Sequence, residues 1–316
     1  MNDEDGRVLV IHPGALGDVL QAVPALRALG DGARVTFCGQ PRLGEVLAGA
    51  GIVADTVSFD GFGLEALFTA EPAPPALGAK LGGFSRVVSW FGSRDGRYAD
   101  GLRALSPSCV VAPPVPGDDR DTVWEHLLAT SGGPARAAPQ HRAPLALPAS
   151  WRDRARSALR LAEVQEDRPM LLVHPGAGGR WKEAPADLLT RVIARALRDF
   201  DAQVLVHVGP ADAEAAARLD QAAEAPLLTL ASPTLPVLAG ALSLAQAYLG
   251  GDSGVSHLAA AVGVPAAILF PPATLMRWRP WSPTARAMAM EPAAAAEQQA
   301  AAAVGEAISA WRRSCP

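Results

Sequence analysis

The chain of 316 residues is 49% hydrophobic and 19% charged, which is enough apolar material for a core and excludes a disordered chain. At ~150 residues per domain its length suggests about two domains. Lys and Arg number 28 against 32 Asp and Glu, a formal net charge of −4, so no global basic field draws nucleic acid or anionic lipid, and a nucleic-acid partner is not expected.

The chain opens on Met1-Asn2-Asp3-Glu4-Asp5, acidic where a secretory signal has a positive start and an apolar stretch. No run of ~18 apolar residues follows, so a cytoplasmic protein without a membrane span is expected. Residues 7–12 form a β-branched run closed by Pro13-Gly14, and residues 18–29 carry apolar side chains at helical spacing. This predicts strand, tight loop, helix. Residues 34–38 read as the next strand, closed by Gly39-Gln40-Pro41, with further strands expected at 52–59, 86–91 and 108–112. Strands alternating with helical stretches predict a parallel α/β sheet. Cys38, Cys109 and Cys315 are odd in number, widely spaced and without zinc-ligand spacing, which fits a reducing compartment. Cys315 also lacks the geometry of a prenylation site.

Between 113 and 148 the composition shifts to proline, from Pro113-Pro114-Val115-Pro116-Gly117 to Pro148, around one helix near 120–130. This stretch reads as the linker. The pattern then restarts with a helix at 151–163, strands at 170–174 and 203–208 around a helix at 184–199, and further strands and helices between 227 and 270. Residues 9–17 (LVIHPGALG) align without gaps to residues 171–179 (LLVHPGAGG), so the first strand of each half enters the same kind of turn. The Ala-rich stretch 293–312 predicts a terminal helix, packed or frayed.

Three segments could carry chemistry. The loop from His12 to Asp18 opens a helix after a strand, where free backbone N–H groups favour an anion or polar ligand. It has Gly14 and Gly17 but not the three glycines of a dinucleotide fingerprint, and no Gly-Lys-Ser/Thr follows. Asp18 could take a proton from an attacking hydroxyl or simply cap its helix. The loop from His174 to Lys182 offers the bare amides of Gly176, Gly178 and Gly179 and then Arg180 and Lys182, which suits phosphate but also a flexible turn. His12 and His174, at strand ends, read as hydrogen-bonded structural residues. The third segment, residues 248–265, combines Asp252-Ser253-Gly254 with a helix of small residues at 255–262, whose N-terminus is a second anion site. Ser253 lacks a Gly-x-Ser-x-Gly elbow and a separable His and Asp, so a serine hydrolase is not expected.

With these three motifs in this order, the chain resembles glycosyltransferase family 9, the ADP-heptose:lipopolysaccharide heptosyltransferases and their relatives. The motifs are Gly17-Asp18 after the first strand, the His-Pro-Gly-Ala turn with Lys182, and Asp252-Ser253-Gly254-Val255-Ser256-His257-Leu258 followed by Gly263-Val264-Pro265. The resemblance implies a GT-B architecture, two Rossmann-like parallel-sheet domains facing a central cleft. Residues 1–147 would bind the acceptor and 148–316 the nucleotide sugar. It implies Asp18 as general base, Lys182, Ser253 and Gly254 on the donor diphosphate, and Asp252 and His257 organising the donor pocket. Asp212, or else Glu214, would meet the ribose. The expected reaction is an inverting transfer of a sugar, heptose from ADP-heptose, to a hydroxyl of a lipopolysaccharide-core or related glycan. The expected partners are the donor and a glycan or glycolipid acceptor, with peripheral membrane contact through the latter.

No cofactor beyond the donor is implied and no metal, since no Asp-x-Asp pair reads as one that would hold it and Asp118-Asp119 reads as a solvated turn. Arg94, Arg97 and Arg103 could meet an acidic acceptor, whereas Arg152, Arg154, Arg156 and Arg160 read as a solvated helix face. Trp278 and Trp281 could stack on a ring or pack in the core. The family's Lys-x-Trp-Pro is here Lys182-Glu183-Ala184-Pro185, with Trp181 before the lysine. That departure keeps open a nucleotide-sugar-binding protein without turnover. A nicotinamide-dependent oxidoreductase shares the sheet type but needs the missing glycine fingerprint.

Overall fold

The computed structural model describes residues 6–118, 120–134 and 136–314. The acidic start Met1–Asp5, Asp119 of the Asp118-Asp119 pair, and Cys315 lie outside the described residues. The chain divides into two compact units, Met1–Ala143 and Pro144–Pro316. This boundary precedes the expected one at 147/148 because Pro144 and Leu145 pack on the second unit. Leu145 N donates to Ala261 O at 2.9 Å, and the Pro144 ring fills the space beside Gly263, where a Cβ would meet it at 2.8 Å.

In the first unit, β1 (Gly6–Ile11), β2 (Ala33–Gly39), β3 (Asp55–Ser58), β4 (Arg86–Ser89) and β5 (Cys109–Val111) form a parallel sheet in the order β3-β2-β1-β4-β5. The apolar run Leu9-Val10-Ile11 is fully buried because β1 lies at the centre, covered on both faces. The single helix expected over 18–29 is two, α1 (Leu16–Gln21) and α2 (Val23–Gly30). Pro24 has no N–H to continue α1, but it is tolerated in the first turn of α2. Helices α3 (Pro41–Gly49), α4 (Pro75–Gly82), α5 (Gly96–Leu105) and α6 (Val123–Thr130) complete the unit. Of these only α6 is expected from the sequence.

The second unit repeats the plan with β6 (Met170–His174), β7 (Gln203–Val208), β8 (Leu228–Ala231), β9 (Ala247–Gly251), β10 (Ala266–Phe270) and β11 (Ala285–Ala289) in the order β11-β10-β9-β6-β7-β8, all parallel. Its helices are α7 (Ala149–Leu161), α8 (Ala186–Phe200), α9 (Ala213–Ala222), α10 (Leu235–Leu244), α11 (Gly254–Val262), α12 (Pro272–Trp278) and α13 (Ala293–Ser314). The Ala-rich tail is packed. Ala296, Ala300, Val304 and Ile308, one helical turn apart, are buried, and Gly305 lies under the Phe200 ring.

Strand order reverses between β1 and β4 in the first unit and between β6 and β9 in the second. At such a reversal the loops leaving two adjacent strands diverge to opposite faces and open a crevice at the carboxyl edge, where α/β sheets bind ligands. The three sequence motifs all lie on loops that leave β1, β6 and β9. Among the described residues no helix is long and apolar enough to cross a membrane.

Candidate functional site

In the first unit, the loop after β1 is held from two sides. His12 Nδ1 accepts the N–H of Gly14 at 3.3 Å, and Gln40 Nε2 donates to the carbonyls of Pro13 and Gly14 at 3.2 and 2.9 Å. A side chain at position 14 has no room, since its Cβ would meet His12 Cε1 at 2.7 Å and Asp18 Cβ at 2.9 Å. The His12 ring is buried edge-on against Trp90, on the loop after β4. Burial pushes its pKa down to about 4, against a hydrogen bond with the backbone of Asp18, so the ring is neutral at pH 7. His12 is thus the structural residue the sequence suggests.

The half-buried Asp18 reaches back from the first turn of α1 to accept the N–H of Ala15 at 2.9 Å. A carboxylate has about four acceptor sites, so this capping contact and a proton-accepting role are compatible. Gly17 precedes it on the same turn. Arg94 and Arg97 are exposed on the segment after β4, the hydrogen-bonded neighbour of β1, around the helix cap that Asp95 makes with Tyr98 N at 3.1 Å. Arg103 does not join them. It lies in the last turn of α5, paired with Asp100 at 3.0 Å, because the seven helical steps from Gly96 carry the chain ~10 Å along the helix.

In the second unit the loops after β6 and β9 meet. Lys182 Nζ lies 3.2 Å from Oδ2 of the buried Asp252, which also accepts from Thr274 Oγ1 of α12 at 2.9 Å. The rings of Trp181 and Trp278 stand 5.3 and 5.4 Å from the same Nζ, within cation–π range. A Cβ on Gly251 would meet Lys182 O at 2.8 Å and Ala184 N at 2.9 Å. Only glycine lets the lysine loop lie against the end of β9. Replacement of the family's tryptophan by Ala184, which is buried, therefore leaves Lys182 aimed at Asp252, while Trp181 is 62% exposed. Trp281 is a core residue at 2% exposure. His257 is buried beside Phe270 and Trp278. Its pKa is down to about 4, through burial first, with Asp252 opposing and Lys182 adding.

Ser253 caps α11. Its Oγ accepts the N–H of Ser256 at 3.2 Å and lies 3.1 Å from Ser256 Oγ. Ser256 Oγ in turn donates to Gly251 O at 2.6 Å and is 2.8 Å from the buried Tyr248 hydroxyl. Since Ser256 spends its one hydrogen on Gly251, it accepts those of Ser253 and Tyr248. The Ser253 hydroxyl is turned into its own helix. What this turn offers a ligand is the backbone N–H groups of its first residues, Gly254 and Val255, with the helix dipole behind them. Gly178 sits exposed with open space about it, at the tip of the facing loop.

Asp212 precedes α9. Its Oδ2 accepts the N–H of Gly209 at 2.8 Å and is 3.9 Å from His174 Nδ1, and its side chain is 14% exposed. The carboxylate thus faces the roots of the loops, whereas Glu214 is exposed and paired with Arg218 at 3.8 Å. Thr274 and His207 were not singled out from the sequence, and Tyr248 and Ser256 lie in the third segment without a role assigned to them. His207 is the penultimate residue of β7, and Ser256 and Thr274 lie in the helices that follow β9 and β10, the one signal that could have marked them, whereas Tyr248 near the start of β9 carried none. The four arginines of α7 form the solvated face expected, with Arg156 paired to Asp153 and Arg160 to Glu166.

The profile of glycosyltransferase family 9 (heptosyltransferase) matches residues 123–307, from α6 to α13. The chain belongs to this family. No curated protein sequence matches it. Among solved structures, the E. coli ADP-heptose lipopolysaccharide heptosyltransferase II is similar at 17% identity and TM-score 0.73, over 97% of this chain and 99% of that one. A family 9 glycosyltransferase from Veillonella parvula gives 16% identity and TM-score 0.74, over 98% of each chain. The E. coli heptosyltransferase WaaC, solved with ADP, gives 18% identity and TM-score 0.63, over 96% of this chain and 99% of that one. At these identities the likeness establishes the fold, so this family 9 glycosyltransferase has the GT-B fold, with two Rossmann-like parallel-sheet domains. The match covers α6 and most of the second unit, where Lys182, Asp252 and the α11 turn lie.

Proposed function

We propose that this glycosyltransferase moves heptose from ADP-heptose to a hydroxyl of a lipopolysaccharide-core or related glycan, with inversion at the anomeric carbon. The observation that carries the reading is the 3.2 Å approach of Lys182 to Asp252. It brings together two motifs 70 residues apart, beside the N-terminus of α11. Lys182 would neutralise the departing diphosphate and the amides of Gly254 and Val255 would bind its oxygens. Such aimed donors each contribute on the order of a few kcal/mol where leaving-group charge develops. Asp252 and His257 would hold Lys182 and line the donor pocket, Gly178 would add an amide, and Asp212 or Glu214 would lie nearest the ribose.

The acceptor oxygen attacks the anomeric carbon as the bond to the diphosphate breaks. Asp18 takes the hydroxyl proton, a role worth ~100- to 10,000-fold in rate. Lys182 and the helix amides carry the charge a metal would otherwise balance, so the transfer needs none. Arg94 and Arg97 would receive an acidic acceptor such as a phosphorylated glycolipid, and the work would then be done in the cytoplasm at the inner membrane face. The position of Lys182 favours turnover over a protein that only binds the donor.

The test is a thermal-shift panel of ADP-, UDP-, GDP- and CDP-sugars followed by transfer assays with the stabilising donor. A ligand that binds only the native state raises the melting temperature by mass action. ADP-heptose should stand out. A response to none of the four, or to a UDP-sugar alone, would overturn the donor assignment.

A further inference from the structure

Val173 of β6 lies beside Val206 of β7 in the parallel register. One residue further along each strand, on the same sheet face, stand His174 and His207. Their Nδ1 atoms are 3.1 Å apart. Asp212 closes on them from the start of α9, with Oδ2 3.9 Å from His174 Nδ1. The three side chains bring one ligand-type atom each to within 4.8 Å of one another.

Both rings are buried, and both pKa values are lowered, chiefly by burial, His207 to about 3. Neutral imidazoles are what metals bind. A neutral ring has one N–H and one lone pair. Around His174 Nδ1 stand His207 Nδ1, the His207 carbonyl at 3.4 Å and the Asp212 carboxylate. Four electron-rich atoms therefore converge, and whichever ring carries its proton on Nδ1, the 3.1 Å contact between the two Nδ1 atoms takes only one proton. A cation among them serves all.

We propose that His174 Nδ1, His207 Nδ1 and the Asp212 carboxylate form a binding site for a divalent transition metal, of which Zn2+ is the prime example. Two imidazoles and a carboxylate suit Zn2+, Fe2+ or Co2+ rather than Mg2+ or Ca2+, which choose oxygen. Metal–ligand bonds of about 2.0–2.2 Å set neighbouring ligands ~3–4 Å apart, which the 3.1 and 3.9 Å separations of His174 Nδ1 from His207 Nδ1 and Asp212 Oδ2 match.

The site lies at the root of the donor loops. A Cβ on Gly176 would meet Asp212 Oδ1 at 2.1 Å and one on Gly209 would meet Oδ2 at 2.6 Å, so both loop backbones rest on the third ligand. The metal would tie the ends of β6 and β7 to α9 and fix the Gly-rich turn that follows His174. It holds structure and takes no part in the transfer step.

Untagged full-length protein is loaded with Zn2+, gel-filtered and analysed by plasma mass spectrometry, and Co2+ is titrated in with its visible absorption followed. About one equivalent per chain is expected, with a cobalt spectrum of low-coordinate nitrogen and oxygen ligation. His207→Asn and Asp212→Asn should each weaken binding by about tenfold or more, while His126→Asn, outside the cluster, should not. Wild-type protein retaining less than about a tenth of an equivalent overturns the proposal, as does a metal content that neither substitution changes. If the variants fail to fold, the wild-type stoichiometry and cobalt spectrum decide. No donor or acceptor enters the measurement, so its failure leaves the transferase reading untouched, and the converse also holds.

Discussion

Lys182 and Asp252 meet where the strand order of the second sheet reverses, and the carboxylate they share with Thr274 is only 3% exposed. A buried carboxylate that loses its cation is left as an uncompensated charge, typically at a cost of ~3–5 kcal/mol. Because Thr274 still donates to Asp252, Lys182→Met is expected near the lower end, about 3 kcal/mol in urea unfolding. The same substitution should raise the donor dissociation constant by more than about tenfold in calorimetry. Unchanged stability with lost binding would mean that the pair does not form in the absence of donor.

Two glycines, Gly251 at the end of β9 and Gly178 on the loop after β6, separate backbone fit from ligand contact. Gly251→Ala pushes a methyl into the backbone of Lys182 and Ala184 at 2.8 and 2.9 Å, atoms that cannot swing aside as a side chain would. A loss of about 1–3 kcal/mol is expected, together with weaker donor binding as Lys182 is displaced. Gly178→Ala meets nothing within 4 Å, so its melting temperature should hold and any effect should fall on donor affinity. Equal destabilisation by both would contradict the close approach at Gly251.

Asp18→Asn keeps an oxygen to accept the Ala15 N–H and removes the carboxylate proposed as the base. Stability should change by no more than the ~1 kcal/mol of a helix-capping contact, donor affinity should persist, and kcat should fall ~100- to 10,000-fold. A variant within a fewfold of wild-type kcat would leave Asp18 with its capping role alone.

Arg94, on the loop after β4, and Arg97, in the first turn of α5, are exposed, and β4 is the hydrogen-bonded neighbour of β1. If they receive an anionic acceptor, Arg94→Glu with Arg97→Glu should raise the acceptor KM while leaving the donor KM and the melting temperature unchanged. An unaltered acceptor KM would remove them from the site.

Much of this was legible in the sequence because parallel strands buried on both faces leave continuous apolar runs that end on turn residues. Residues 7–12, 170–174 and 266–270 read directly as strands. The echo of His-Pro-Gly-Ala marks equivalent central strands in two sheets. What stayed hidden depends on neighbours far along the chain. His207 looks like any residue of β7 until the register sets it beside His174, and Thr274 gains meaning only when α12 brings it to Asp252. Asp212 follows a strand, as a ribose contact would. Its direction is set by the Gly209 amide and the two histidines, which no spacing rule contains. The break between α1 and α2 was readable from Pro24, but the amphipathic pattern runs through it.

The buried histidines make stability depend on pH. His12 titrates at about 4 in the folded chain and at about 6.5 when unfolded. In that interval the unfolded state binds the proton and the folded state does not. The contribution is complete above about pH 6.5 and declines as pH falls toward 4, by ~1.4 kcal/mol per pH unit and about 3 kcal/mol in all. His257 shifts the same way, so unfolding free energy should drop steeply over this range. His12→Asn retains an acceptor for the Gly14 N–H but cannot be protonated. Its urea-unfolding free energies, compared with wild type between about pH 6.5 and pH 4, should fall less steeply by one proton's worth. Parallel curves would show that His12 is already charged in the native chain, and that burial behind Trp90 does not hold it neutral.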